Sequence, residues 1–317
     1  MAADAASTGA EYKKGTGPFN VGVKDLEWLD GSRNRDLPAK VFYPSDATGQ
    51  FPVVVFSHGL GGTKETYSYL GRHWASHGYV SVHLQHHGID ASAAVAKKGT
   101  AKTSVDVLSG AESLVQRPQD VGFALDQIGR MNKDDPALSG RLDVQHIGMA
   151  GHSLGAFTTL LMAGQVFITP TLEETSVADK RITAAIVMSP PVIVRIPDEM
   201  ARMYSHISIP CLHMTGSRDG MLGEGGPPVK RRMPFDNIPA PDQYLVMFQG
   251  GDHMIFAGRR VAMPAQPKDE RFHDLIRMSS TAFWDAYLKG NAEAKAGLAD
   301  GGFAAALGED GSLEKKR

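Results

Sequence analysis

Gly151-His152-Ser153-Leu154-Gly155 lies between an apolar strand-like run, Val144 to Ala150, and a run with helical spacing, Ser153 to Gly164. A G-x-S-x-G segment in that context predicts a sharp strand-to-helix turn. The turn holds its central serine in a strained backbone conformation. The residues two before and two after must lack a Cβ, or strand and helix would collide. The serine oxygen then projects above a sheet, and the helix N-terminus favours negative charge beside it. Any fold compatible with this segment therefore needs a strand feeding directly into a covering helix, and Ser153 is the candidate nucleophile.

The rest of the chain repeats that alternation. Val21 to Trp28 and Ala39 to Tyr43 read as strands. Phe51 to Ser57 is a continuous β-branched and aromatic run, as expected of a strand buried on both faces of a parallel sheet. A helix pattern over Thr63 to His77 follows, and then a strand over Tyr79 to Leu84. Pro118 to Met131 is an amphipathic helix. Ile182 to Met188, Cys211 to Thr215 and Tyr244 to Phe248 are further strands, and Phe272 to Leu288 is a long closing helix. The expected fold is α/β: a mostly parallel sheet of about eight strands with helices on both faces. Nothing in the 317 residues reads as a linker, so 18–309 is expected to be one domain. Residues 1–17 read as a disordered lead-in and 310–317 as a frayed polar tail.

Composition narrows the partners. Lys plus Arg number 33 and Asp plus Glu 35, a net charge of −2, which gives no global field for nucleic acid or anionic membrane. No transmembrane run is present in the sequence. The single cysteine, Cys211, excludes an intrachain disulfide framework and any cysteine-based zinc site, and no metal or other cofactor is called for. The first residues carry no apolar signal-peptide core. The reading of a soluble protein, secreted or periplasmic with its signal replaced by a start Met, stays open. Oligomeric state is left open too.

A serine attacking an ester generates an oxyanion that preorganised N–H groups must meet. One donor is expected from the Leu154 amide. The other is expected from the glycine-rich His58-Gly59-Leu60-Gly61-Gly62 after Phe51 to Ser57, with Leu60 favoured over Gly59 or Gly61. The base must follow the serine in chain order. His253, in the loop Gly250 to Met254 after the last strand, fits better than His206, His213 or His273. Asp219, after strand Cys211 to Thr215, is the expected acid, with Asp252 as its rival. Gly59, Gly61, His152, Met221 and Met254 are expected to line the substrate pocket, walled by 85–116 and 220–242. His83, His86 and His87 read as residues lining the loop beside the site rather than as metal ligands. Lys230-Arg231-Arg232 reads as a solvated loop.

The segments FPVVVFSHGLGG, RPQDVGFALDQI, GHSLGA, TGSRDG and GGDHMIF together resemble the bacterial α/β-hydrolases often called predicted dienelactone hydrolases. These are in turn similar to platelet-activating-factor acetylhydrolase. The resemblance spans about Val21 to Leu288 and implies a serine carboxylic-ester hydrolase with Ser153, Asp219 and His253 as triad. It departs from true dienelactone hydrolases, which use a cysteine nucleophile. The acetylhydrolase-like relatives also raise an acid after an earlier strand, but Met188-Ser189-Pro190-Pro191 offers no carboxylate there. The expected reaction is cleavage of small or short-acyl esters through an acyl-enzyme. Polyester or amide cleavage on the same frame is the alternative, and a catalytically inactive binding scaffold is the reading from another class.

Overall fold

The computed structural model describes residues 12–87, 110, 112–168, 174–192, 197–220, 228–260 and 264–316. Its main sheet is built from β1 (Val21–Asp30), β2 (Arg35–Pro44), β3 (Phe51–Ser57), β4 (Val80–Leu84) and β5 (Leu142–His152). A two-stranded hairpin of β6 (Phe167–Ile168) and β7 (Glu174–Thr175) stands apart. The sheet continues with β8 (Ile182–Met188), β9 (Cys211–Gly216), β10 (Gln243–Phe248) and β11 (Gly311–Lys315). The spatial order is β1-β2-β4-β3-β5-β8-β9-β10-β11. From β4 through β10 neighbours run parallel, while β1, β2 and β11 pair antiparallel at the edges.

The period of two along each buried strand sorts side chains to the two faces. Val54 and Phe56 of β3 join Ala150, Ile186, Met214 and Phe248 in the core beneath the closing helix Asp269–Leu288. Val53 and Val55 turn to the opposite face, where Val121, Ala124, Leu125 and Ile128 of helix Arg117–Asp134 cover them. Leu160 and Ala156 of helix Leu154–Ala163 cover Ala185 and Val187 on that same face. β3 and β5 are adjacent, and Ser57 stands opposite Gly151. The chain winds from β3 to β4 on one side and returns to β5 on the other. The crevice at their carboxyl ends is thus a topological switch point, where sheets of this kind bind ligands.

The C-terminal tail differs from the expectation. Gly311–Lys315 is not frayed but forms the ninth strand, pairing Leu313 with Val246. Its polarity misled because an edge strand over solvent needs only one anchoring apolar residue, here the half-buried Leu313. Deleting residues 311–317 should lower Tm by about 5 °C, from about 2 kcal/mol of lost ladder and packing. It should also promote association through the bared β10 edge, checked by thermal melts and light scattering. An unchanged melt would mean that the strand contributes nothing.

The lead-in also departs from expectation in its described part. Tyr12 Oη donates to Asp285 Oδ2 at 2.7 Å, Lys13 Nζ lies 2.5 Å from the same oxygen, and the Gly17 amide donates to Ser76 Oγ. The helix expected from Thr63 begins at Ser68, after a hydrogen-bonded turn from Thr63 to Thr66.

Candidate active site

The elbow forms at the junction of β5 and helix Leu154–Ala163. Ser153 has φ 55° and ψ −120°, a region that few non-glycine residues occupy. A Cβ on Gly151 would stand 2.2 Å from the Gly155 carbonyl oxygen, and one on Gly155 would stand 1.9 Å from that of Ser57. Both glycines are therefore required by backbone contact, as the turn demands. Leu154 is the first helical residue, so its amide has no intrahelical acceptor. Its side chain packs with Phe157 and Leu161.

Four further strand ends converge on Ser153. His253, opening a short 3-10 turn after β10, places Nε2 3.0 Å from Ser153 Oγ. Asp219, just beyond β9, places Oδ1 2.9 Å from His253 Nδ1. Asp219 is fully buried and also accepts from Thr215 Oγ1 at 2.9 Å. Burial acts to raise its carboxyl, but the His253 hydrogen bond and the nearby Arg231 outweigh that and bring it to about 2. It is therefore an acceptor throughout neutral pH. Nδ1 of His253 carries the proton and Nε2 is left to accept from the serine hydroxyl. Because the folded-state value lies below the unfolded one, the stabilisation from this carboxylate is complete near neutrality. It is lost as pH falls through about 2. The difference in unfolding free energy between wild type and Asp219→Asn should accordingly narrow from about pH 4 to about pH 2. A constant difference in denaturant titrations would contradict the assignment.

Asp252, the rival carboxylate, turns away from the imidazole. One of its oxygens caps the Met254 amide at 2.9 Å and the other pairs with Arg260 at 2.7 Å.

Two residues of the site were not legible in the sequence. Ser189 follows β8 with φ 51°, and its Oγ lies 2.7 Å from His253 Nδ1. Lys230-Arg231-Arg232 is not wholly solvated, as expected of it, because Arg231 turns inward. It is 3% exposed, donates to the Ser189 and Gly220 carbonyls, and lies 3.4 Å from Asp219 Oδ1. The signal for Arg231 would have been its place after an apolar-poor loop facing a buried acid, which no local pattern announces.

His152 packs tilted against the His253 ring, centroids 4.6 Å apart, and shares a 2.7 Å hydrogen bond between its Nδ1 and Tyr67 Oη. Burial pushes it far below the ordinary histidine range, so it is neutral beside the His253 imidazole. Gly59 lies beside the serine: a Cβ there would be 3.2 Å from that of Ser153. The turn Gly59 to Gly62 is closed by a 3.0 Å bond, with Gly61 at φ 70°. Leu60 at its tip is 58% exposed. Met254 packs against the core beneath the closing helix. Met221 lies outside the described residues, as do 88–109, 111 and 221–227 of the two segments expected to wall the pocket.

The histidine group also needs correction. His83 does not line the loop. It is buried in β4, stacked on Phe56 at 5.0 Å. His86 is buried and bonds a carboxylate, Asp120, at 2.9 Å. Among the described residues no group of three or more His, Cys, Asp or Glu could hold a metal ion. None of the described helices is long and apolar enough to cross a membrane.

A family model described as platelet-activating factor acetylhydrolase, isoform II, matches residues 46–110, which include β3 and the glycine-rich loop. The chain is 27% identical over 162 residues to a platelet-activating factor acetylhydrolase of Cavia porcellus, covering 43% of this chain and 37% of that protein. It is 23% identical over 158 residues to Cutinase 1 of Thermobifida cellulosilytica, covering 50% of each. A cutinase of Thermobifida fusca (strain YX) matches at 23% over 158 residues, 50% of this chain and 44% of that one. The fold is that of the α/β-hydrolases. The chain spans half or less of the length of these curated relatives.

In an α/β-hydrolase a cysteine elsewhere could in principle compete as nucleophile, but Cys211 sits in β9 at 0% exposure, and burial pushes its thiol up to about 12. A thiol so placed is a small hydrophobe. Cys211→Ser should therefore keep most ester turnover with a modest loss of stability. Inactivation by iodoacetamide that substrate prevents would argue for cysteine chemistry.

Proposed function

We propose that this protein is a serine hydrolase cleaving carboxylic esters through an acyl-enzyme, with Ser153 as nucleophile, His253 as general base and Asp219 as its orienting acid. The observation that carries the reading is the pair of distances at His253: 3.0 Å to Ser153 Oγ and 2.9 Å to Asp219 Oδ1. In this mechanism Ser153 Oγ attacks the acyl carbon as its proton passes to His253 Nε2. The carbonyl oxygen becomes an oxyanion held by the Leu154 and Leu60 amides. Collapse expels the alcohol, which takes the proton back from Nε2. Water, deprotonated by the same nitrogen, then releases the acid and restores Ser153. Asp219 stays ionised and stabilises the imidazolium that forms at each step.

The Leu60 assignment draws support from the position of Leu60 in the turn Gly59 to Gly62, directly after the residue that lies beside Ser153. Arg231, caged by two carbonyls and Asp219, is read as fixing the acid rather than meeting substrate. Small or short-acyl esters are the proposed substrates. A screen of p-nitrophenyl esters from acetate to palmitate tests this: the highest kcat/KM is expected at two to four acyl carbons (about that range, set by the absence of an apolar lid in the sequence). An optimum beyond about ten carbons would overturn the size preference. Polyester cleavage is the second reading, favoured by the likeness to proteins named cutinases. Release of soluble monomer from a polyester film, absent from Ser153→Ala, would establish it.

A further inference from the structure

The Arg117-Pro118-Gln119-Asp120 segment that opens its helix has no part in the chemistry above, yet it buries two charged side chains completely. Charges are rarely buried so deeply unless paired. Asp120 Oδ1 accepts from Arg33 Nη1 and Arg35 Nε, both at 2.8 Å, and Oδ2 accepts from Arg35 Nη2 and His86 Nδ1, both at 2.9 Å. Burial would raise this carboxyl, but its hydrogen bonds to His86 and Arg35 hold it well below the usual carboxylate range. As an anion it can only accept, so His86 Nδ1 carries the proton. His86 is itself kept neutral, pushed down to about 4 by burial and by Arg117. Its Nε2 is left to accept from Ser57 Oγ at 3.0 Å.

Ser57 is the last residue of β3, and the glycine-rich loop starts at the next residue. The three residues of that junction are each held. Ser57 is tied through its hydroxyl, as above. The His86 backbone amide donates to His58 Nε2 at 3.1 Å, and His58 Nδ1 donates to the Gly59 carbonyl at 2.7 Å. Arg117 Nη2 donates to the His58 carbonyl. On the other side, the backbone of Gly155 in the elbow rests against the carbonyls of Ser57 and His58. Gly59, at the end of this clamped stretch, is the residue beside Ser153. An oxyanion donor acts only within about 2.7–3.1 Å of the developing charge, so a small shift of this segment removes most of its value.

Building on the ester-hydrolase reading, we infer that Asp120, His86 and Arg117 are positioning residues that hold Ser57 to Gly59 at the depth where the next amide meets the oxyanion. They touch no reacting atom and act through the loop. Their loss should therefore lower kcat while leaving ground-state binding alone.

The test uses the full chain with p-nitrophenyl acetate and compares Ser57→Ala, Asp120→Asn, Arg117→Met and Arg117→Lys. Removing one oxyanion donor outright costs 10²- to 10³-fold elsewhere, so displacement should cost about tenfold in kcat for Ser57→Ala and about a hundredfold for Asp120→Asn, with KM within about twofold. Arg117→Lys keeps a donor for the His58 carbonyl and should recover most of what Arg117→Met loses. The rate of fluorophosphonate labelling at Ser153 should fall in parallel with kcat, since the phosphonyl oxygen uses the same donors. Where Asp120→Asn fails to fold, Ser57→Ala decides, because it deletes one hydroxyl. A folded Ser57→Ala with wild-type kcat, or with its loss confined to KM, overturns this inference and leaves the ester-hydrolase reading standing. Absence of turnover by the wild type overturns that reading and this inference with it.

Discussion

Ser153→Ala is expected to abolish ester turnover, by about 10⁴- to 10⁶-fold in kcat, while the protein stays folded. In the proposed mechanism this hydroxyl forms the acyl bond, and among the described residues neither other candidate is placed to replace it: Cys211 is buried in β9, and Ser189 Oγ faces the Nδ1 edge of His253 rather than Nε2. The fold should survive because the strain at φ 55° belongs to the backbone, where alanine fares no worse than serine. The elbow glycines that make the turn possible are untouched. Turnover on a soluble ester, beside circular dichroism and a thermal melt, checks both halves. Near-wild-type activity would remove Ser153 from the mechanism.

The second large effect concerns the acid. Asp219→Asn should depress kcat/KM by several orders of magnitude, about 10⁴-fold, because an amide beside Nδ1 can favour the tautomer that protonates Nε2. A protonated Nε2 cannot accept the serine proton. Asp252→Asn should cost far less, since its oxygens serve the Met254 amide and Arg260 and not the ring. Ser189 sharpens the contrast. Its hydroxyl at 2.7 Å from Nδ1 leaves a residual acceptor in Asp219→Asn, so Ser189→Ala combined with Asp219→Asn should be worse than either alone. If Asp252→Asn is the more damaged enzyme, the acid has been misassigned.

These two residues were legible in the sequence because each announces itself locally. Ser153 needs glycine two residues away on both sides, and that need is written in five consecutive letters. Asp219 and His253 follow short, largely apolar runs, Cys211 to Thr215 and Tyr244 to Phe248, that read as buried strands. β1 was readable from the alternation over Val21 to Trp28. What escaped has a common cause: long-range pairing of polar residues. β11 has one large apolar residue, Leu313, because its outer side meets solvent, and only its register with β10 makes it a strand. Arg231 looks like its neighbours Lys230 and Arg232, yet it turns inward to Asp219. Tyr12 and Lys13 look like part of a loose terminus until Asp285, 273 and 272 residues away, is seen to hold them. The helix opened by Arg117 was recognised, but its buried acid could not be matched to Arg33, Arg35 and His86 without the sheet between them. Hydrophobic period reports which face is inside; it carries no information on which buried charges meet.

The central claim is that Ser153 forms a covalent acyl intermediate under the control of His253. The most direct measurement is peptide mapping by mass spectrometry after treatment of the folded protein with a fluorophosphonate. The reagent traps only a serine whose proton is being taken and whose oxyanion is being stabilised. One phosphonyl adduct is expected, on the peptide containing Ser153, formed in proportion to the loss of esterase activity and strongly slowed in His253→Ala. An unlabelled Ser153 in a protein that still hydrolyses esters, or labelling at the same rate in His253→Ala, would contradict the account.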